Sequence, residues 1–107
     1  MTQSIPESDW KLFRQLHPIA LNRFCEKVLR DIAQISGDAK ATPHERYLRI
    51  YKVIHQRDRT IADAFNDLRR STAIMRLISI CSHKLITEEE VGRFSEGTRD
   101  VIARFSA

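Results

Sequence analysis

Residues 44–91 read HERYLRIYKVIHQRDRTIADAFNDLRRSTAIMRLISICSHKLITEEEV and contain neither glycine nor proline. An all-β domain needs turn residues at intervals of about ten positions, and glycine and proline are the strongest of them. The whole chain of 107 residues has only three glycines and three prolines. This distribution favours helices throughout, so we predict an all-α protein that forms a single domain over residues 1–107.

Two capping boxes indicate where helices begin. Thr42 is followed by a proline at the first helical position and by Glu45 three residues on, so each side chain can bond the backbone amide of the other residue. Thr87 and Glu90 repeat this pattern at the start of a predicted helix over 88–105.

The stretch between the two boxes supports two interpretations. A stripe of positions three or four residues apart runs from Tyr51 to Met75 and is apolar except at Asp58 and Thr72, as one long helix over 43–84 requires. Thr60, with an acidic residue three positions later, resembles a further capping box, which instead predicts a break near 58–60. The sequence leaves both interpretations open.

The predicted architecture is an up-down helical bundle of three to four helices. Its first helix covers 8–36, is kinked at Pro18, and follows a disordered N-terminus over residues 1–7. Residues 73–81 are apolar on nearly every side, which predicts the centre of the core. The second helix is predicted to turn four apolar side chains inward, namely Tyr47, Ile50, Tyr51 and Ile54.

Composition and the first residues narrow the class of protein. The chain is 42% hydrophobic and 30% charged, which is typical of soluble globular proteins. It begins with neither a basic stretch nor an apolar run, and no apolar run approaches the length of a membrane span. Its two cysteines are too few for a disulfide framework. We therefore predict a soluble, cytoplasmic protein that does not contact membranes.

No recognised pattern of metal-binding or catalytic residues occurs in the sequence. Four histidines and two cysteines form neither Cys-x-x-Cys nor His-Glu-x-x-His. Cys81 and His83 are two positions apart on a predicted helix, so their side chains point in different directions. The three glycines do not form a phosphate-binding loop. We predict no metal site, no cofactor and no catalytic residues, and we favour a non-enzymatic protein.

A metal-independent ribonuclease is the third functional hypothesis. Small all-α ribonucleases are often marked by an arginine and a histidine with four to six residues between them. Arg49 with His55 and Arg76 with His83 fit that spacing, so His55 or His83 is the candidate catalytic base. The polar residue that usually follows the arginine is replaced by an apolar one in both cases. Chance matches are frequent in a chain this rich in arginine.

Nucleic-acid binding is the second hypothesis, because the net charge is +4 and basic residues are frequent in the middle of the chain. The candidate basic face consists of Arg46, Arg49, Lys52, Arg57, Arg59, Arg69 and Arg70. Phosphate binding needs several cations on one accessible face. Asp58, Asp63 and Asp67 are interleaved with these cations, and intrahelical ion pairs account for much of the charge.

Asp58 and Thr72 occupy the core stripe of the continuous helix and form a candidate polar seam. A polar residue in a helical seam often fixes register or oligomeric state. The remaining chain is too short to cover a helix over 43–84, and a second copy is the simplest cover, because twofold dimers are the commonest oligomers. The leading hypothesis is a non-enzymatic protein-interaction or regulatory module, a homodimer whose partners are its own copy, another protein or both.

Overall fold

The computed structural model describes residues 5–106, which form five α-helices and one 3₁₀ turn. The helices are α1 Glu7–Ser36, α2 Pro43–Phe65, α3 Ala73–Ser82, α4 Glu88–Val91 and α5 Glu96–Phe105, and the 3₁₀ turn Arg70–Thr72 precedes α3. No strand occurs in this part of the chain, and 78% of the structure is helical. The all-α prediction is confirmed.

Helices α1 and α2 form an antiparallel hairpin. Successive residues along α2 contact residues that lie progressively earlier in α1. The contacts are Arg46–Ser36, Arg57–Asp31 and Phe65–His17. The capping box that begins α2 is formed as predicted, with Glu45 N donating to Thr42 Oγ1 over 3.1 Å and Thr42 N donating to the Glu45 carboxylate over 3.0 Å. Helix α1 continues through Pro18, which is exposed, so the carbonyl that loses its hydrogen bond lies near solvent.

The continuous helix over 43–84 and the break near 58–60 are both wrong, because α2 passes through 58–60 and ends at Phe65. Asp67 adopts a left-handed conformation with φ of 62°, which aspartate tolerates better than most residues, and its carboxylate accepts two hydrogen bonds from Arg69. The turn redirects the chain so that α3 packs against the hairpin and buries Leu77 and Ile80. That burial stabilises the break, and a straight helix would leave the same side chains in water.

The core lies at the end of the hairpin that α3 and the C-terminal segment cover. Its largest buried side chains are Ile5, Phe13, Leu16, Phe24, Phe65, Leu77, Ile80, Leu85, Ile86, Phe94 and Ile102. The segment 73–81 belongs to this core, as predicted, but it is not buried on all sides, since Met75 is 73% exposed.

The helix predicted over 88–105 is divided into α4 and α5 by residues 92–95. This break places Phe94 in the core and Ser95 beside Asp9, a side chain of α1 that is only 2% exposed. Asp9 accepts hydrogen bonds from Ser95 N over 2.9 Å and from the hydroxyls of Ser95 and Thr98 over 2.6 Å each. Burial raises the pKa of Asp9, but these hydrogen bonds outweigh it, and the pKa lies below its ordinary value.

Part of the predicted disordered N-terminus, residues 1–7, is packed. Ile5 is completely buried, and its carbonyl accepts hydrogen bonds from Arg70 over 3.0 and 3.2 Å. Glu7 begins α1 and forms an ion pair with Arg70. Residues 1–4 lie outside the described residues.

The described chain is elongated, with extents of 52 × 26 × 22 Å and a radius of gyration of 16.7 Å. A compact chain of this length is expected at about 13 Å. The cause is the part of the hairpin that extends beyond the core, which we call the distal hairpin, residues 25–61; only its inner end, at Val28 and Ile61, packs against the core. Within it only Ala41, in the connection between the helices, is buried. The fold therefore has one end with a core and one end without a cover.

Candidate functional site

A groove runs between α1 and α2 on the distal hairpin and has a volume of about 240 Å³. Its walls are Cys25, Val28, Leu29 and Ile32 from α1 and Ile54, Arg57, Asp58 and Ile61 from α2. All of these residues except Arg57 and Asp58 are apolar. The groove is therefore a concave apolar surface with polar groups on one wall.

Helical periodicity places these side chains together. Apart from the adjacent pairs 28–29 and 57–58, they recur at intervals of three and four residues along each helix, so they lie on one side of α1 and one side of α2. The same intervals continue from Ile54 to Tyr51 and Tyr47, which extends the surface toward the tip of the hairpin. We call this surface the hairpin face and define it as Cys25, Val28, Leu29, Ile32, Tyr47, Tyr51, Ile54 and Ile61.

The hairpin face is exposed to solvent to an unusual degree. Leu29 is 63% exposed, Tyr47 63%, Tyr51 65% and Ile54 50%. From these fractions and the sizes of the side chains, the whole face exposes on the order of 600 Å². The largest apolar patch on a typical monomer measures roughly 300–600 Å² and is often functional. The face is thus at the upper end of what a monomer leaves in contact with water.

Few charged groups lie near the groove. Arg57 forms an ion pair with Asp31 over 3.2 Å. Asp58, on the groove wall, is exposed, and its carboxylate accepts no hydrogen bond from any residue in 5–106. At the rim, the ring of Tyr51 stacks in parallel on His55, with 6.4 Å between the ring centroids. One cation and one carboxylate therefore line a surface that is otherwise uncharged.

The candidate basic residues do not come together in one place. Arg46 donates to the Ser36 carbonyl and Arg49 to the Asp38 carboxylate, both near the tip of the hairpin. Arg69 pairs with Asp67, and Arg70 contacts the start of α1. A helix of 30 residues separates these two groups by about 45 Å. Lys52 and Arg59 are exposed and form no ion pair within residues 5–106.

The candidate polar seam of Asp58 and Thr72 depends on a continuous helix, which the chain does not form. Asp58 lies in α2 and lines the groove, whereas Thr72 lies in the 3₁₀ turn. The Thr72 hydroxyl donates to the carbonyls of Asp67 and Arg69 at 3.2 Å each, so it stabilises the turn after α2. The two residues do not share a helix face.

The two histidines of the ribonuclease hypothesis also lie apart. His55 is on the distal hairpin beside Tyr51, and His83 follows α3 with its ring 6.2 Å from that of Phe24. A polar depression of about 280 Å³ next to His83 also holds Lys27 and Arg57. Neither imidazole forms a hydrogen bond to another side chain among the described residues, so no acid–base pair is assembled there.

The free cysteines and the metal-binding residue types form no further site in the described part of the chain. Burial raises the pKa of the Cys81 thiol to about 11, which makes it a poor nucleophile near neutral pH. Within residues 5–106 no three histidine, cysteine, aspartate or glutamate side chains are grouped so that they could hold a metal ion.

The hairpin face differs from the prediction, in which the periodicity of the second helix places Tyr47, Tyr51 and Ile54 on its inward side. They are at least half exposed. The available signal was the pair of tyrosines, since an amphipathic aromatic residue is frequent at protein interfaces. Which side of an apolar stripe stays uncovered depends on where α3 and α5 pack.

The character of the helices and the comparison with known proteins give two further findings. None of the helices in residues 5–106 combines the length and the apolar character needed to cross a membrane. Comparison with protein-family models, curated proteins and solved structures finds no significant match to this chain.

Proposed function

We propose that this protein is a non-enzymatic protein-interaction module whose binding surface is the hairpin face. The observation that supports this function is the apolar groove with its exposed rim of Leu29, Tyr47, Tyr51 and Ile54. Water in contact with such a surface is released when a partner covers it, which is the main favourable contribution to most protein association. Large aromatic side chains beside a groove are also typical of the residues that contribute most to binding.

The hairpin face is held in place before any partner binds. The Thr42–Glu45 capping box fixes the start of α2, and the contact of Arg46 with the Ser36 carbonyl joins the tips of the two helices. Arg57 and Asp31 connect α2 to α1 beside the groove. Binding to a surface that is already ordered loses less conformational entropy than binding to a flexible one.

Nucleic-acid binding receives less support. Tyr47 and Tyr51 are exposed aromatic rings, but the groove beside them is apolar, and a phosphate backbone makes no favourable contact with such a surface. Most of the candidate cations use their guanidinium groups on acceptors of the same chain. We further propose that the protein works in the cytoplasm, where the free thiols of Cys25 and Cys81 stay reduced.

A photo-crosslinking amino acid in place of Tyr51 tests the proposal in cells. The matched control carries the same amino acid in place of Met75, which is equally exposed but lies on α3. We expect covalent protein adducts from position 51 and few from position 75, resolved by gel electrophoresis and mass spectrometry. An absence of adducts at position 51, or equal yields at both positions, would contradict a protein-binding role for the face.

A further inference from the structure

We infer that the partner covering the hairpin face is a second copy of this chain, packed antiparallel about a twofold axis so that two hairpins form a four-helix bundle. The inference rests on the proposed function, because it names the occupant of the same surface. Three properties of the face support it: its area, its charge and the positions of its tyrosines relative to its groove.

The area of the face matches what one subunit contributes to a dimer. Its apolar surface is on the order of 600 Å², and a standard interface takes roughly 800 Å² from each partner, including a polar rim. Residues such as Asp58 and Asn22, which border the face and are exposed, supply such a rim. Two helices alone cannot enclose a core, whereas four helices from two hairpins enclose one in the manner of a four-helix bundle.

The charge of the face is compatible with a copy of itself. A twofold interface brings the same residues of both subunits together, so a face that carried one sign of charge would repel its own copy. The groove is lined by one cation, Arg57, and one anion, Asp58. Arg57 is already paired with Asp31 of its own chain. One uncompensated carboxylate, Asp58, therefore remains on the groove wall of each copy, where it is exposed. The eight residues of the hairpin face itself carry no charge, although the whole chain carries +4.

The exposed tyrosines and the groove lie toward opposite ends of the face. Tyr47 is near the tip of the hairpin, because its neighbour Arg46 contacts the carbonyl of Ser36, the last residue of α1. Cys25 and Ile61, at the other end, are part of the groove wall. The two ends are about 15–20 Å apart along the helix axis. An axis through the middle of the face, near Ile54, places the tyrosines of each copy over the groove of the other.

The antiparallel arrangement also separates the bulky ends of the two subunits. Helices α3, α4 and α5 surround the end of the hairpin opposite its tip. In the antiparallel dimer these ends project in opposite directions. A parallel dimer would place groove against groove, with the tyrosines of both copies together, and would leave both grooves unfilled.

Sedimentation equilibrium of the purified full chain tests the identity of the partner. We expect a mass twice that of the 12.5 kDa chain. Ile54→Glu introduces a charge near the axis and is expected to weaken the dimer by at least about a hundredfold. Met75→Glu, on a more exposed side chain of α3 that lies outside the face, is expected to leave the mass unchanged. Circular dichroism verifies that both variants remain helical.

Thiol crosslinking tests the arrangement. In a Cys81→Ala background, Tyr47→Cys is expected to be joined to Cys25 of the other copy by a short bismaleimide. The covalent dimer should disappear when Cys25→Ala is added. Crosslinking that persists without Cys25 would join two copies of position 47, which only a parallel dimer brings together, and would overturn the antiparallel arrangement.

The experiments separate failure of the inference from failure of the proposed function. A wild-type chain that stays monomeric up to about 100 µM contradicts the dimer. If the crosslinker at position 51 then captures a different protein, the interaction module stands and the second copy does not. If it captures nothing, both are wrong.

Discussion

The two ends of the same helical hairpin differ in whether other helices cover their apolar side chains. At one end α1 contributes Phe13, Leu16 and Phe24 to a closed core with α3 and α5. At the other end the same two helices carry comparable apolar side chains, and Leu29 and Tyr51 are 63% and 65% exposed. The residue types hardly differ. What differs is whether another helix of the chain packs against them. A partner that bound the uncovered end would bury the most apolar surface there.

The polar contacts of the two ends differ in the same way. At the end with the core, Arg23 donates two hydrogen bonds to Glu90, over 2.7 and 3.0 Å, and Asp9 is buried against Ser95 and Thr98. At the distal end the ion pair between Arg49 and Asp38 is largely exposed. Solvent weakens such a pair, so the distal hairpin depends more on its capping box.

The largest expected difference between the two ends concerns apolar side chains. Leu77→Ala in the core should lower the free energy of unfolding by about 3–4 kcal/mol, because it leaves a cavity among buried neighbours. Leu29→Ala on the distal hairpin should lower it by less than about 1 kcal/mol in the monomer. Urea denaturation at low protein concentration measures both. Equal losses would show that the distal end is as well packed as the core.

Asp9 should show the next largest effect. Asp9→Asn removes a charged acceptor of three hydrogen bonds and is expected to cost about 2–3 kcal/mol at pH 7, measured by urea denaturation. Because the pKa of Asp9 is lower in the folded protein than in the unfolded chain, its contribution is complete above about pH 4 and is lost as the pH falls through the folded value. The variant and the wild type should therefore converge in acid. A constant difference down to pH 2 would exclude titration of Asp9 as the cause.

Glu90 should have a smaller effect over a defined pH range. Its hydrogen bonds with Arg23 lower the pKa of Glu90 to about 2, from an unfolded value near 4.3. The contribution of Glu90 to stability is complete at pH values above its pKa in the unfolded chain, and it is lost between about pH 4 and pH 2. Since Arg23 is partly exposed, we expect Glu90→Gln to cost about 1–2 kcal/mol at pH 7. Thermal unfolding at pH 7 and pH 2.5 measures it, with the exposed Glu89→Gln as control.

The smallest effect is expected for the ion pair at the tip of the hairpin. Arg49→Ala, Asp38→Ala and the double variant should give an interaction energy below about 0.5 kcal/mol. Urea denaturation in low and high salt measures this double-mutant cycle. A coupling above about 1 kcal/mol would indicate that the tip is ordered by its charges, and the contrast between the two ends would then be weaker than proposed.

The candidate site could be predicted only in part. The sequence indicated that the chain is too short to cover a long second helix, and from this followed the hypothesis of a second copy. It did not indicate which apolar residues would stay exposed, since the spacing of Tyr47, Tyr51 and Ile54 is that of an ordinary buried stripe. The polar seam does not assemble, because it depended on one continuous helix. Five of the seven candidate basic residues lie on α2, and only Arg69 and Arg70 follow it beyond Asn66.

The sequence by itself determined that the protein is helical and where two of its helices begin. The capping boxes at Thr42 and Thr87 form as predicted because all their hydrogen bonds join residues no more than three positions apart. Tertiary structure alone decided where the helices break. The chain turns after Phe65 so that α3 can bury Leu77, and again before Ser95, which bonds Asp9 from the opposite end of the sequence. Such contacts join distant residues, and no local pattern records them. The same packing covers one end of the hairpin and leaves the other exposed.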